Sequence, residues 1–101
     1  MAYLIVYARV TDPPRIAAYA AQAQALFAAH GGVMTARGAP VVLEGEFPWQ
    51  GVVVFRFASV AAAQTVWRSA EYAALHQARE GAADFQVIVI DELDAVAGGA
   101  A

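Results

Sequence analysis

Twice along the chain an apolar run rich in Val, Ile, Tyr and Phe passes through a capping residue into an alanine-rich stretch with helical spacing. The first passage takes the run Tyr3 to Val10 through Asp12 into a helix. The second takes residues 51–58 through Ser59 into a helix that includes Trp67, Arg68, Ser69, Ala70, Glu71 and Tyr72. Strands repeat every two residues and helices every 3.6, so neither pattern can stand in for the other. Each helix is followed by a further strand, from Val33 in the first half and over residues 84–93 in the second. Two such units predict one α+β domain of the form βαββαβ. Right-handed crossovers then order its antiparallel strands 4-1-3-2 and place both helices on one face.

Local signals place the boundaries. Asp12 can accept from the free amides of a helix start, and Pro13 sits where its missing N–H costs nothing. Ile16, Tyr19, Ala20, Ala23, Leu26, Phe27 and His30 fall on one helical stripe. Gly31-Gly32 ends it, because glycine accepts the left-handed conformation. Residues 33–37 and 41–44 read as one edge strand, kinked or bulged at Gly38-Ala39-Pro40 because proline cannot donate to a continuous ladder. Ser59 caps a helix to about Arg68, and Ser69 a continuation from Ala70 to about Glu80, with Glu71 facing the positive end of the helix dipole. The expectation is a single domain over residues 1–93 and a flexible tail over 94–101.

Composition narrows the chemistry. Apolar residues make up 60% of the 101, but much of this is alanine, which favours helix more than it builds core. The absence of cysteine excludes disulfides, thiolate metal sites and cysteine nucleophiles. Six arginines, no lysine and a net charge of −3 offer no basic surface for nucleic acid and no lysine for a Schiff base. Two histidines without a close carboxylate spacing predict no metal site. Phosphate loop, nucleophile elbow and dinucleotide fingerprint are all missing from the sequence. The apolar runs are too short to cross a bilayer and no basic segment precedes a signal-like stretch, so a cytoplasmic protein with no membrane contact is expected.

Strand alternation groups Tyr3, Ile5, Tyr7 and Arg9 on one side of the first strand, Val52, Val54 and Arg56 on one side of the third, and Gln86, Ile88 and Ile90 on one side of the fourth. A face this apolar is not expected to stay in water. A second copy packed against it would give a homodimer.

Several short features recur together: Thr11-Asp12-Pro13, His30-Gly31-Gly32, Arg37-Gly38 with Val42-Leu43-Glu44-Gly45, the strand from Val53 to Phe57, Trp67 to Tyr72 with Ser69-Glu71-Tyr72 at its centre, and Arg79. In these, over nearly its whole length, the chain resembles the bacterial family called domain of unknown function 1330, a branch of the dimeric α/β-barrel superfamily. The resemblance implies ferredoxin-like topology and a dimer whose sheets pack face to face. It implies no activity. Related branches include cofactor-independent monooxygenases, muconolactone isomerases and haem enzymes, a kinship of fold alone.

Arg37 ends the second strand beside a Gly-Ala-Pro break, where its guanidinium can fork onto a carboxylate; the competing reading pairs it with Glu44 or solvent. Arg9 shares its end of the sheet, whereas Arg56 lies toward the other. Trp67, Ser69, Glu71 and Tyr72 cluster as a site would, but capping, dipole and packing account for the same spacing. His76 and Arg79 continue the helical face of Tyr72, a face that could look into the cavity mouth or onto the dimer partner. His30, at a helix end, and His76 are the candidates for acid–base catalysis, with no carboxylate evident to orient them. The expectation is a small anionic or aromatic ligand held, without a bound cofactor, in a cavity between helices and sheet. Tyr7, Arg9 and Arg37 would line it, with Tyr72 and Trp67 as further contacts. The alternative is a non-catalytic module whose apolar face serves self-association or partner binding.

Overall fold

The computed structural model describes residues 1–93. Its elements run β1 (Ala2–Val10), α1 (Pro13–Ala29), β2 (Val33–Gly38), β3 (Gly51–Phe57), α2 (Val60–Trp67), α3 (Ala70–Ala78) and β4 (Ala83–Asp91). The strands form one antiparallel sheet in the order β2-β3-β1-β4, which is the expected order read from the opposite edge. The tail expected over 94–101 lies outside the described residues.

Short-range chemistry starts and stops the helices. The Asp12 carboxylate accepts from the Arg15 amide at 3.3 Å, Ser59 Oγ from the Ala62 amide at 3.0 Å and Ser69 Oγ from the Tyr72 amide at 3.1 Å. Each satisfies an amide that the helix itself leaves without an acceptor. Ser69 also donates to the Val66 carbonyl at 2.7 Å, so one hydroxyl closes α2 and opens α3. At the far end of α1, Gly31 takes a φ of +83°, which a residue with a Cβ adopts only with strain.

The strand register separates two faces. Leu4 lies opposite Phe55 and Val89, and Val6 opposite Val53 and Val87. This side packs under the helices, where Leu4, Phe27, Phe55, Phe57, Val66 and Tyr72 form the buried core. Phe27 meets Phe55 edge-on with ring centres 4.9 Å apart. Fully burying side chains of this kind contributes about 1.5–3 kcal/mol each. On the other side Tyr3, Ile5 and Tyr7 lie opposite Arg56, Val54 and Val52 on β3 and opposite Ile90, Ile88 and Gln86 on β4. No helix among the described residues covers this face, and Ile90 is 51% exposed. One sheet and one helical layer make a molecule 17 Å across its shortest axis.

The second strand departs from expectation. It ends at Gly38, and residues 41–44 form no strand. Gly38 already pairs with Val52, and β3 begins at Gly51, so nothing is left opposite residues 41–44 for a ladder. The irregularity falls earlier than Gly38-Ala39-Pro40: Met34 pairs with Phe55 and Ala36 with Val54, which leaves Thr35 as one extra residue, a β-bulge. Val41 and Leu43 are left 85% and 94% exposed in the loop beyond.

Candidate functional site

Between α1 and the sheet lies a cavity of about 460 Å³. Its origin is side-chain size. The α1 face above it offers Ala17, Ala20, Ala21 and Ala23, and the sheet below offers Ala8 and Gly51, so two layers that elsewhere interdigitate here leave a gap. Val6, Val53, Ile16, Phe27, Phe55 and Phe85 complete most of an apolar wall. Arg37, Gln24 and Tyr19 are its polar members.

Arg37 reaches this side because of the bulge. Were Thr35 paired with Val54 instead of bulged, continuous pairing from Met34 and Phe55 would set Arg37 opposite Val52, on the open face. With Thr35 bulged out, Arg37 lies opposite Val53, on the helix side. Arg37 is exposed at the cavity rim and takes part in no ion pair among the described residues. Of the competing reading's two partners, Glu44 forms no ion pair with it and solvent does reach it.

The sheet divides the other residues expected to line the cavity. Tyr7 and Arg9 share the end of the sheet where Arg37 lies, but they project from its opposite face. Tyr7 packs there against Phe47 at 5.8 Å and Trp49 at 6.4 Å between ring centres. The Arg9 guanidinium is already held by Asp84 at 2.9 Å. Trp67 lines a separate, smaller cleft of about 180 Å³ between α2 and β4 and packs at a tilt against Tyr72, with ring centres 4.4 Å apart. Tyr72 is buried in the core. His30 is exposed at the C-terminal cap of α1, and His76 is exposed with its ring edge toward Tyr72 at 6.2 Å. Neither histidine lines the cavity, and no group of three His, Asp or Glu side chains among the described residues could hold a metal ion.

Tyr19, which the sequence did not single out as a site, and Arg79, which it placed only on the helical face of Tyr72, complete the polar geometry. Tyr19 lines the cavity, and its hydroxyl lies 2.5 Å from that of Tyr72. Burial pushes the Tyr19 phenol up, an effect that the Tyr72 hydrogen bond and the Arg79 charge oppose. Burial pushes Tyr72 still further, well above the usual phenol range, and its coupling to Tyr19 adds to the rise. Behind them Arg79 is only 6% exposed. Its guanidinium carbon lies 3.9 Å from the centre of the Phe85 ring, 5.3 Å from Tyr19 and 5.9 Å from Trp67, an aromatic cage around a cation. Its Nη1 is buried without a hydrogen-bond partner, and no carboxylate pairs with it among the described residues. The signal for Tyr19 was present in the sequence: it is the one phenol on the helical stripe of α1.

The sequence profile of the family described as domain of unknown function (DUF1330) matches residues 1–93. The chain belongs to DUF1330. No curated protein matches it in sequence. Among solved structures, a protein of unknown function from Rhodopseudomonas palustris shares 22% identity with this DUF1330 chain at a TM-score of 0.76, covering 92% of this chain and 82% of that one. A dimeric ferredoxin-like protein of unknown function from Thermobifida fusca is 16% identical at a TM-score of 0.59, with 88% of each chain covered. SnoaB, a cofactor-independent oxygenase from Streptomyces nogalater, is 11% identical at a TM-score of 0.61, covering 92% of this chain and 93% of that one. At these identities the likeness is one of fold, and it places this DUF1330 member among ferredoxin-like proteins. No helix among the described residues is long and apolar enough to cross a membrane.

Proposed function

We propose that this DUF1330 protein binds a small aromatic acid in the cavity between α1 and the sheet, with the ring among the apolar walls and the carboxylate on Arg37. The observation that carries the reading is an unpaired guanidinium on the rim of an apolar cavity of about 460 Å³, a volume within the usual range for small-molecule sites. Charge agrees with it, since the cavity walls include no carboxylate. An ion pair of this kind takes a planar acid in a fixed orientation. A fold that in SnoaB serves a cofactor-independent oxygenase suits binding, and any conversion that follows, without a bound cofactor.

Thermal unfolding with benzoate, salicylate and phenol, on the wild type and on Arg37→Ala, tests the site. An aromatic acid at a hundred times its dissociation constant should stabilise the wild type by about 2.7 kcal/mol. Arg37→Ala should need about tenfold more of the acid, the equivalent of roughly 1.4 kcal/mol. No stabilisation of the wild type by any of the three, or an equal response from the variant, overturns the reading.

The alternative, a module that serves only association, is favoured by one observation of its own: the uncovered apolar sheet face. The two readings are compatible in space. The cavity lies on the helix side of the sheet, so a second copy packed on the opposite face leaves it open.

A further inference from the structure

The hydroxyl pair of Tyr19 and Tyr72 has one satisfactory arrangement of its protons. Each phenol carries one hydrogen, and the 2.5 Å contact uses only one of the two. Tyr72 is 1% exposed and its hydroxyl has no other hydrogen-bond partner among the described residues. If Tyr19 donated, the Tyr72 hydrogen would be stranded in the core, which is the costlier outcome for a buried polar group. Tyr72 therefore donates to Tyr19. The Tyr19 hydrogen is left free, on a side chain that lines the cavity.

The charge nearby has no counterpart among the described residues. Arg79 stands behind Tyr19 and Phe85, two walls of the cavity, and its buried Nη1 is unpartnered. Proteins seldom bury a cation without an anion to face it, and here neither phenol supplies one in its neutral form. A negative oxygen arriving beside Tyr19 would answer both features, since it would accept the free hydrogen and sit in the field of the cation.

We infer that the Tyr19 hydroxyl is the hydrogen-bond donor of the cavity and receives a phenolate oxygen, with Tyr72 fixing the direction of its proton and Arg79 supplying the positive field. The inference rests on the ligand-binding reading above and narrows it. The ligand class becomes a hydroxylated aromatic, held by its ring oxygen at Tyr19 and by an acid group at the Arg37 rim. Tyr19 touches the ligand, whereas Tyr72 and Arg79 act through Tyr19 and the field as positioning residues.

The probe is 4-nitrophenol, whose phenolate absorbs visible light and which has no carboxylate to offer Arg37. Its absorbance is followed across pH with and without protein, while its binding is measured separately by equilibrium dialysis. The wild type should raise the acidity of the bound probe about tenfold or more, the scale of one charge-assisted hydrogen bond. Tyr19→Phe should abolish that gain while still taking up the probe, and Tyr72→Phe should reduce it in part. The double variant Tyr19→Phe with Tyr72→Phe strands no hydroxyl, so it gives the same reading even if the single variant folds poorly. Arg37→Ala should keep the gain. Uptake with equal acidity in the wild type and in the Tyr19 variants overturns the inference and leaves the cavity reading standing. A gain that disappears with Arg37 instead of Tyr19 also overturns it. No uptake of the probe by the wild type overturns the inference, and the cavity reading then falls only if benzoate and salicylate also fail to stabilise the protein.

Discussion

Gly32 has no room for a methyl group. A Cβ built there would lie 2.6 Å from the Phe57 ring and 2.9 Å from the Phe27 carbonyl oxygen, so ring and helix end would both have to yield. Gly31 next to it has nothing within 4 Å and needs only a tolerance for positive φ, which asparagine also has. Gly32→Ala should therefore cost about 1–3 kcal/mol, the usual penalty of overpacking, and lower the melting temperature by about 4–8 °C for each of them. Gly31→Asn should melt close to the wild type. Thermal unfolding of the two variants reversed in order would show that the strain lies in the backbone and not in the contact. At this scale the sequence was legible where a residue acts locally: Asp12, Ser59, Ser69 and Gly31 cap and end helices as their chemistry requires. At Arg79 it was legible only in part: the spacing put it on one helical face with Tyr72, but not in a buried aromatic cage. Only the packing of α3 against Phe85 and Tyr19 encloses it.

At the level of the element, the bulge in β2 decides which chemistry the edge strand offers. Its effect depends on the number of residues and hardly on their kind. Thr35→Ala and deletion of Thr35 both keep Ala36 opposite Val54 and should leave Arg37 at the cavity, whereas insertion of one alanine between Ala36 and Arg37 moves Arg37 opposite Val52 and turns it to the open face. The insertion variant should fold, since β2 is an edge strand followed by a long loop that can absorb one residue. It should bind an aromatic acid as weakly as Arg37→Ala, by the same thermal measurement. Binding at full strength in the insertion variant would mean that Arg37 is not the anchor. The strands and helices themselves were legible because two periodicities and three caps agree on one arrangement. The bulge was not, since a threonine suits any strand position and the proline nearby drew the irregularity to the wrong place. Nor was the cavity, which arises from the combined smallness of alanines on one helix face set over Ala8 and Gly51.

Across the whole molecule, the uncovered sheet face governs how the protein behaves in water. Ile5, Val54 and Ile88 are neighbours across three strands, with Tyr3 and Ile90 beside them, and water faces all of them in a single copy. At about 25 cal/mol per Å² of apolar surface, covering such a face stabilises a symmetric dimer by many kcal/mol before the cost of association. Sedimentation should find a dimer at micromolar concentration. Ile88→Asp should give monomer or aggregate, because it sets an unpaired charge in the joint. A wild-type monomer, or an unaltered dimer of the variant, would assign the buried surface elsewhere. The same sheet is the floor of the cavity: Val6 faces the ligand space, and Ile5 and Tyr7, its chain neighbours, face the would-be partner. In a molecule 17 Å thick, guest and twin are kept apart by one layer of backbone. Any free energy that filling the cavity adds to self-association must be returned in full, as the same factor by which the dimer tightens its hold on the guest.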